Sequence, residues 1–184
     1  MDLVLKEAEN RRQLKQVKKL YYSAFPKNER APFATIIRRR RSGLISIMAA
    51  ENRRGEFMGL AIPGFWRDVV LLNYLAVDEK LRGQGIGSAI LNAFREEYAD
   101  KKFVVEIERA DEGAGEEAVR RKELYLSNGM RSAGCIVDVF GVEMELLCFE
   151  QAVGFSEYRD FYRNVFSDWV AGNIRLVSGG QASR

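Results

Sequence analysis

Apolar residues recur along this chain with two periods, and the switches between them outline its elements. Leu3, Val4 and Leu5 predict a short opening strand. Leu14, Val17, Leu20, Tyr21 and Phe25 fall at helical spacing, so a helix is predicted from about Arg11 to Ala24, stopped by Pro26. A second short helix follows, its end carrying the basic block Arg38 to Arg41 and closed by Ser42 and Gly43. Leu44 to Ala50 and Glu56 to Phe65 read as a strand hairpin, with Pro63 and Gly64 bending or interrupting its second arm. The run from Val69 to Val77 is apolar on both faces, with Leu71, Asn73, Leu75 and Val77 on one side and Leu72, Tyr74 and Ala76 on the other, which predicts a strand covered on both sides. Ile86, Ile90, Leu91 and Phe94 return to helical spacing, with an end near Asp100. Lys101 to Glu108 predicts a strand with Val104, Glu106 and Glu108 on one face; its glutamates fit edge solvation or a polar cleft equally. An acidic link then enters a helix through Ser127, where Asn128 and Gly129 supply a left-handed stop. Two strands, Met130 to Val139 and Val142 to Phe149, flank Gly141. Residues 154–171 carry an aromatic stripe predicting a helix packed on the sheet, with a homodimer contact as the alternative. This order predicts an α/β protein with a mixed sheet and helices on both faces.

Composition narrows the chemistry. With 184 residues, 47% hydrophobic and 30% charged, the chain fits one domain, expected over residues 1–172, with 173–184 a flexible tail. A net charge of +3, from 29 basic and 26 acidic residues, is too small to call for a nucleic-acid partner. No apolar run is long enough to cross a bilayer, and the first residues lack the apolar core of a signal peptide, so no membrane partner and a cytoplasmic location are expected. The chain contains no histidine, which removes Ser-His and Cys-His nucleophiles and the usual zinc sites. Cys135 and Cys148 read as core thiols, and no metal is expected. The four arginines from Arg38 fit a solvated helix end favoured by the dipole, or an electropositive rim that draws in an acidic acceptor or a ligand's phosphates.

The glycines between the central strand and its helix carry the sharpest signal. A helix start leaves about four amides without intrahelical acceptors and carries roughly half a positive charge, and Gly83, Gly85 and Gly87 keep side chains away from those amides. An anion, most simply a phosphate, suits such a place. A nucleotide-binding P-loop needs lysine after its last glycine, where this chain has Ser88, and a dinucleotide fingerprint needs GxGxxG, where this chain reads GxGxG.

What the residues match is R-x-x-G-x-G, formed by Arg82, Gly83, Gln84, Gly85, Ile86 and Gly87 after LAVDEK, with a later RRKELYLSNGMR. Here the chain resembles the GCN5-related N-acetyltransferase (GNAT) superfamily, from about Leu3 to Phe149. The resemblance implies a single mixed, mostly antiparallel sheet, splayed between its fourth and fifth strands. It implies acetyl-CoA as cosubstrate, its pyrophosphate on the amides from Arg82 to Ser88 and its pantetheine arm along Leu75, Ala76 and Val77. It places the oxyanion contact on the backbone N–H of Leu75 and the thiolate acid on Tyr125, a phenol with a pKa of about 10 that stays protonated at neutral pH.

The sequence departs from the family's pattern twice. Where many relatives carry a base glutamate, four residues before the oxyanion residue, this chain has Leu71. Asn73 could orient a water, while Glu106 and Glu108 on the next strand are better chemical candidates for a base, Glu106 first. Where many relatives hold pantetheine with an asparagine seven residues before the tyrosine, this chain has Ala118. The expected function is acyl transfer to the amine of a small molecule or peptide by direct attack; the alternative is a noncatalytic coenzyme A-binding sensor or assembly module.

Overall fold

The structure is a computed structural model and describes residues 3–27, 29–110 and 115–179. Its contacts fall into two compact units, one of Met1–Gly64 with Leu72–Phe94 and one of Phe65–Leu71 with Arg95–Arg184.

The first unit starts with β1 (Leu3–Glu7), α1 (Arg11–Ala24), α2 (Phe33–Arg41), β2 (Met48–Asn52) and β3 (Phe57–Trp66). It also takes most of β4 (Val69–Val77) and of α3 (Ile86–Glu97). β1 and β2 pair antiparallel, as do β2 and β3. α1 begins with a capping box: the Asn10 side chain accepts from the Gln13 N–H at 2.9 Å, and Gln13 Oε1 accepts in return from the Asn10 N–H. The core gathers Val17, Tyr21, Ile36, Ile47, Leu60 and Ile62, all fully buried. Gln13 is buried as well, and its side chain donates to buried Glu51 at 2.9 Å while Lys6 pairs with the other carboxylate oxygen at 2.7 Å. β3 continues through Pro63 without a break, while its pairing there is incomplete, as expected for a proline. Proline costs only its own N–H: the Pro63 carbonyl still accepts from the Ser46 N–H at 3.0 Å, and pairing on that side thins to an isolated Ile45–Gly64 bridge.

In the second unit the first three residues of β4 pair in parallel with β5 (Lys102–Glu108), Val69 with Lys102, Val70 with Phe103 and Leu71 with Val104. α4 (Glu116–Ser127), β6 (Arg131–Val139), β7 (Val142–Cys148), α5 (Phe155–Val165), α6 (Asp168–Gly172) and β8 (Ile174–Gly179) complete it. β5 pairs antiparallel with β7, β7 with β6, and β6 with β8. The order along the eight-stranded sheet is β1-β2-β3-β4-β5-β7-β6-β8, mixed and mostly antiparallel, with the parallel register of β4 and β5 limited to those three pairs. Phe140 and Gly141 both take positive φ, 54° and 87°, and close the β6–β7 hairpin as a two-residue turn whose twist suits the strands.

Two expectations for the end of the chain need correction. The helix over 154–171 is two helices: Ser167 turns extended, and its hydroxyl accepts from the Val170 N–H at 3.3 Å, which starts α6 afresh. The tail expected from residue 173 is instead strand β8 over Ile174–Gly179. It is anchored by buried Ile174 and by pairing Val139 with Ile174 and Val137 with Leu176; the rest of the expected tail lies outside the described residues. Short strands whose pairing partner lies far back in the chain leave little local pattern.

Candidate active site

The glycine loop and the strand that feeds it lie in the first unit. After Val77, the Asp78 N–H donates to the Met58 carbonyl at 2.9 Å, and the Asp78 carboxylate accepts from the Lys80 N–H at 3.1 Å, capping a single 3-10 turn over Glu79–Leu81. Arg82 is extended, and Gly83 and Gly85 then take φ of 77° and 76°, a left-handed backbone that L-residues enter only at a cost. No atom lies within 4 Å of where a Cβ on either glycine would stand, so the loop surface there is open. Residues 82–85 are exposed, whereas Ile86 is buried and pins the first turn of α3. The helix's own hydrogen-bond ladder begins with the Ala89 N–H donating to the Gly85 carbonyl at 3.0 Å, so Ile86, Gly87 and Ser88 form the leading turn, and no acidic residue stands in it. A short cradle with outward-turned backbone, an electropositive helix start and no competing carboxylate fits the diphosphate of coenzyme A.

β4 is fixed from behind. A Cβ on Gly59 of β3 would stand 2.7 Å from the Ala76 carbonyl, so only glycine allows that approach. Ala76 is buried and Asn73, Leu75 and Val77 are partly exposed. Between them, Tyr74 accepts from the Ala31 N–H at 2.9 Å and packs edge-on against Tyr21 at 4.8 Å, which ties the segment between α1 and α2 to the strand. Of the basic block, Arg40 pairs with Glu7 at 2.6 Å, while Arg38 and Arg41 are exposed in the last turn of α2.

Tyr125 and Glu106 lie in the second unit. α4 ends as its sequence predicts, with Gly129 at a φ of 87° and its N–H donating to the Leu126 carbonyl at 3.0 Å; Tyr125 sits in the last full turn and is 7% exposed. Burial pushes its phenol up to about 12, against a small lowering by Arg121, so it is a proton donor throughout the physiological range. Among the described residues no hydrogen bond engages its hydroxyl, which leaves it available to a ligand atom. Ala118, seven residues earlier, is buried and offers no polar atom beyond its backbone.

Glu106 does not stand free. Tyr162 donates its phenol proton to Oε1 at 2.7 Å, and Tyr158 donates to Oε2. Desolvation raises the proton affinity of this carboxyl above the ordinary range, and the two phenol donors oppose that rise. Neither tyrosine could be assigned to it from local spacing, because they lie on an aromatic stripe whose period announces packing; the only available hint was that two members, one helical turn apart, carry hydroxyls. Glu108 is exposed at the end of β5. Cys135 and Cys148 are buried free thiols, and burial pushes both up, Cys148 to about 11, as core cysteines. Among the described residues no group of three or more His, Cys, Asp or Glu side chains is placed to hold a metal ion, and no helix is long and apolar enough to cross a membrane.

A family profile described as acetyltransferase (GNAT) domain matches residues 43–131, the stretch that contains β4, the glycine loop, α3, β5 and α4 with Tyr125. Those residues are similar to a GNAT acetyltransferase domain. Enzymes of this kind are N-acetyltransferases and use acetyl-CoA. Solved structures agree in fold across a wider part of the chain. A GNAT-family protein from Bacteroides thetaiotaomicron superposes with a TM-score of 0.71 at 16% identity, covering 93% of this chain and 99% of its own. Spermidine N-acetyltransferase from Vibrio cholerae, in complex with CoA and spermine, gives 0.62 at 12% identity over 80% of this chain and 95% of its own. Ard1 from Thermoplasma volcanium gives 0.60 at 16% identity over 81% and 99%. Among curated protein sequences none matches the chain.

Proposed function

We propose that this GNAT-like domain transfers the acetyl group of acetyl-CoA to the amine of a small molecule by direct attack. The observation that carries the reading is the loop from Arg82 to Ser88, where Gly83 and Gly85 turn left-handed over open space at the head of a helix without a first-turn carboxylate. Arg82 adds a guanidinium able to pair with a phosphate. Leu75, Ala76 and Val77 give the strand edge along which the pantetheine amides pair, and the Leu75 N–H donates to the thioester oxygen as negative charge develops on it. Tyr125 donates its phenol proton to the departing sulfur; burial keeps that proton in place at neutral pH, and among the described residues no hydrogen bond engages the hydroxyl.

The amine must lose a proton before or during attack. Glu106 is the base we assign, its raised proton affinity bringing it closer to neutral pH than an ordinary carboxylate. Asn73 serves by orienting a water. A small amine, as in the spermidine acetyltransferase of similar fold, is the acceptor class we favour. Replacing Tyr125 by Phe tests the assignment: thiol release should fall at least tenfold while coenzyme A affinity stays within about twofold, since only the proton donor is removed. Unchanged turnover would remove Tyr125 from the chemistry.

A further inference from the structure

We propose that Tyr158 and Tyr162 are positioning residues that hold the Glu106 carboxylate and set the pH at which it takes up a proton. The inference rests on the reading of Glu106 as general base. On β5, Glu106 lies opposite Leu146 of β7, on the face it shares with Val104 and Glu108. α5 covers that face and brings up two phenols one turn apart, Tyr158 fully buried and Tyr162 at 7% exposure, with their rings edge-on at 5.1 Å. Each takes a different carboxylate oxygen, so the carboxyl plane is fixed by two bonds from a single rigid helix. An apolar pair in their place would leave the buried carboxylate without hydrogen-bond donors, and an arginine would lock it into its charged form. Neutral donors stabilise the charged form while leaving protonation within reach.

The surrounding charges are committed elsewhere. Lys102, four residues back on the same face, is shared between Asp68 at 3.2 Å and Glu157 of α5. Glu108 is exposed. On α5, Arg159 donates to the Ala171 carbonyl at 3.1 Å, and Asp160 pairs with Arg163 at 2.6 Å. On β7, Glu145 lies opposite Ile107, hence on the other face, and pairs with Lys122 of α4 at 2.6 Å; Glu143 pairs with Arg109, and the Cys148 thiol is buried and neutral. Among the described residues no cation reaches Glu106, so its proton affinity is a balance between desolvation and the two phenols. In the step itself an N–H bond of the acceptor amine breaks and an O–H bond forms on Glu106, which later releases the proton to water; both phenols keep theirs.

The test is a titration of the 13C-labelled glutamate carboxyls by NMR, with the Glu106 resonance assigned by its loss in Glu106→Gln. It is run alongside the pH dependence of acetyl-CoA turnover with spermidine and other polyamines as acceptors. Tyr162→Phe and Tyr158→Phe keep the rings and remove one donor each, so each should raise the Glu106 midpoint by about one pH unit and move the acid limb of kcat/KM upward by the same amount. Glu106→Gln should abolish that limb. If the tyrosines only brace α5, the variants melt at lower temperature with the midpoint and the limb unmoved, and the positioning role is overturned while Glu106 can remain the base. If Glu106→Gln keeps the limb, the base reading itself falls, and the positioning role with it.

Discussion

Gly85 lets the anion-binding role of the loop be separated from its backbone geometry. Its φ of 76° is strained for an L-residue, but nothing lies within 4 Å of where a Cβ would stand, so a substitution meets no steric clash. The left-handed conformation costs about 1 kcal/mol for Asn or Asp, which tolerate it best, and lowers the melting temperature by about 2–4 °C for a chain of this size. Gly85→Asn and Gly85→Asp share that strain and differ by one charge. A carboxylate about 6 Å from each of two phosphate charges, at an effective dielectric of about 40, adds about 1.4 kcal/mol per pair and about 3 kcal/mol in all. The Asp variant should therefore bind coenzyme A about 100-fold more weakly than the Asn variant in calorimetric titrations. Raising the ionic strength to about 1 M, where the Debye length falls to about 3 Å, should shrink that gap several-fold. Equal affinity of the two variants, at matched melting temperatures, would show that no phosphate lies against Gly85.

Three further outcomes follow from the same physics. Gly59→Ala forces a methyl to within 2.7 Å of the Ala76 carbonyl, so β4 must shift; stability should fall by about 1–3 kcal/mol in denaturant unfolding, with weaker coenzyme A binding as well. Gln13→Ala removes half of the capping box and one of the two partners of buried Glu51, and should lower stability by about 2 kcal/mol, seen as a melting temperature lower by about 4–8 °C. The folded-state pKa of Tyr125 is raised from 10.0 to about 12, so as pH climbs through that window the unfolded chain gives up a proton the folded one keeps, and stability is lost; denaturant unfolding at both ends of the window should show a smaller loss in Tyr125→Phe than in the parent.

Much of the architecture was legible because it rests on local signals. Asn10 and Gln13 mark the start of α1 and Pro26 its end, the Asn128–Gly129 pair stops α4, and the left-handed glycines at 83 and 85 stand where their spacing puts them, between a strand and a helix. Signals that depend on remote partners were weaker. β8 owes its strand character to pairing with β6, some 40 residues earlier, and the break at Ser167 needed recognition of a cap within an unbroken aromatic stripe. Glu106 shows the limit most clearly: alternation placed it on one face of β5 with Glu108, but could not tell an exposed carboxylate from one clasped by two phenols more than 50 residues away. The absence of a glutamate at Leu71 was visible at once, and the carboxylate proposed in its stead is distinguished by its surroundings, which pattern does not carry.

Transfer of a 13C-labelled acetyl group from acetyl-CoA to a panel of small amines, followed by NMR and mass spectrometry of the products, tests acyl transfer most directly. The expected result is an N-acetylated amine formed in step with free coenzyme A thiol, lost at least tenfold in Tyr125→Phe and at acetyl-CoA concentrations near the parent's KM in Gly85→Asp. Saturable binding of acetyl-CoA with no labelled amine from any member of a panel spanning polyamines, amino acids and peptide N-termini would contradict it and leave a coenzyme A-binding protein without acyl transfer.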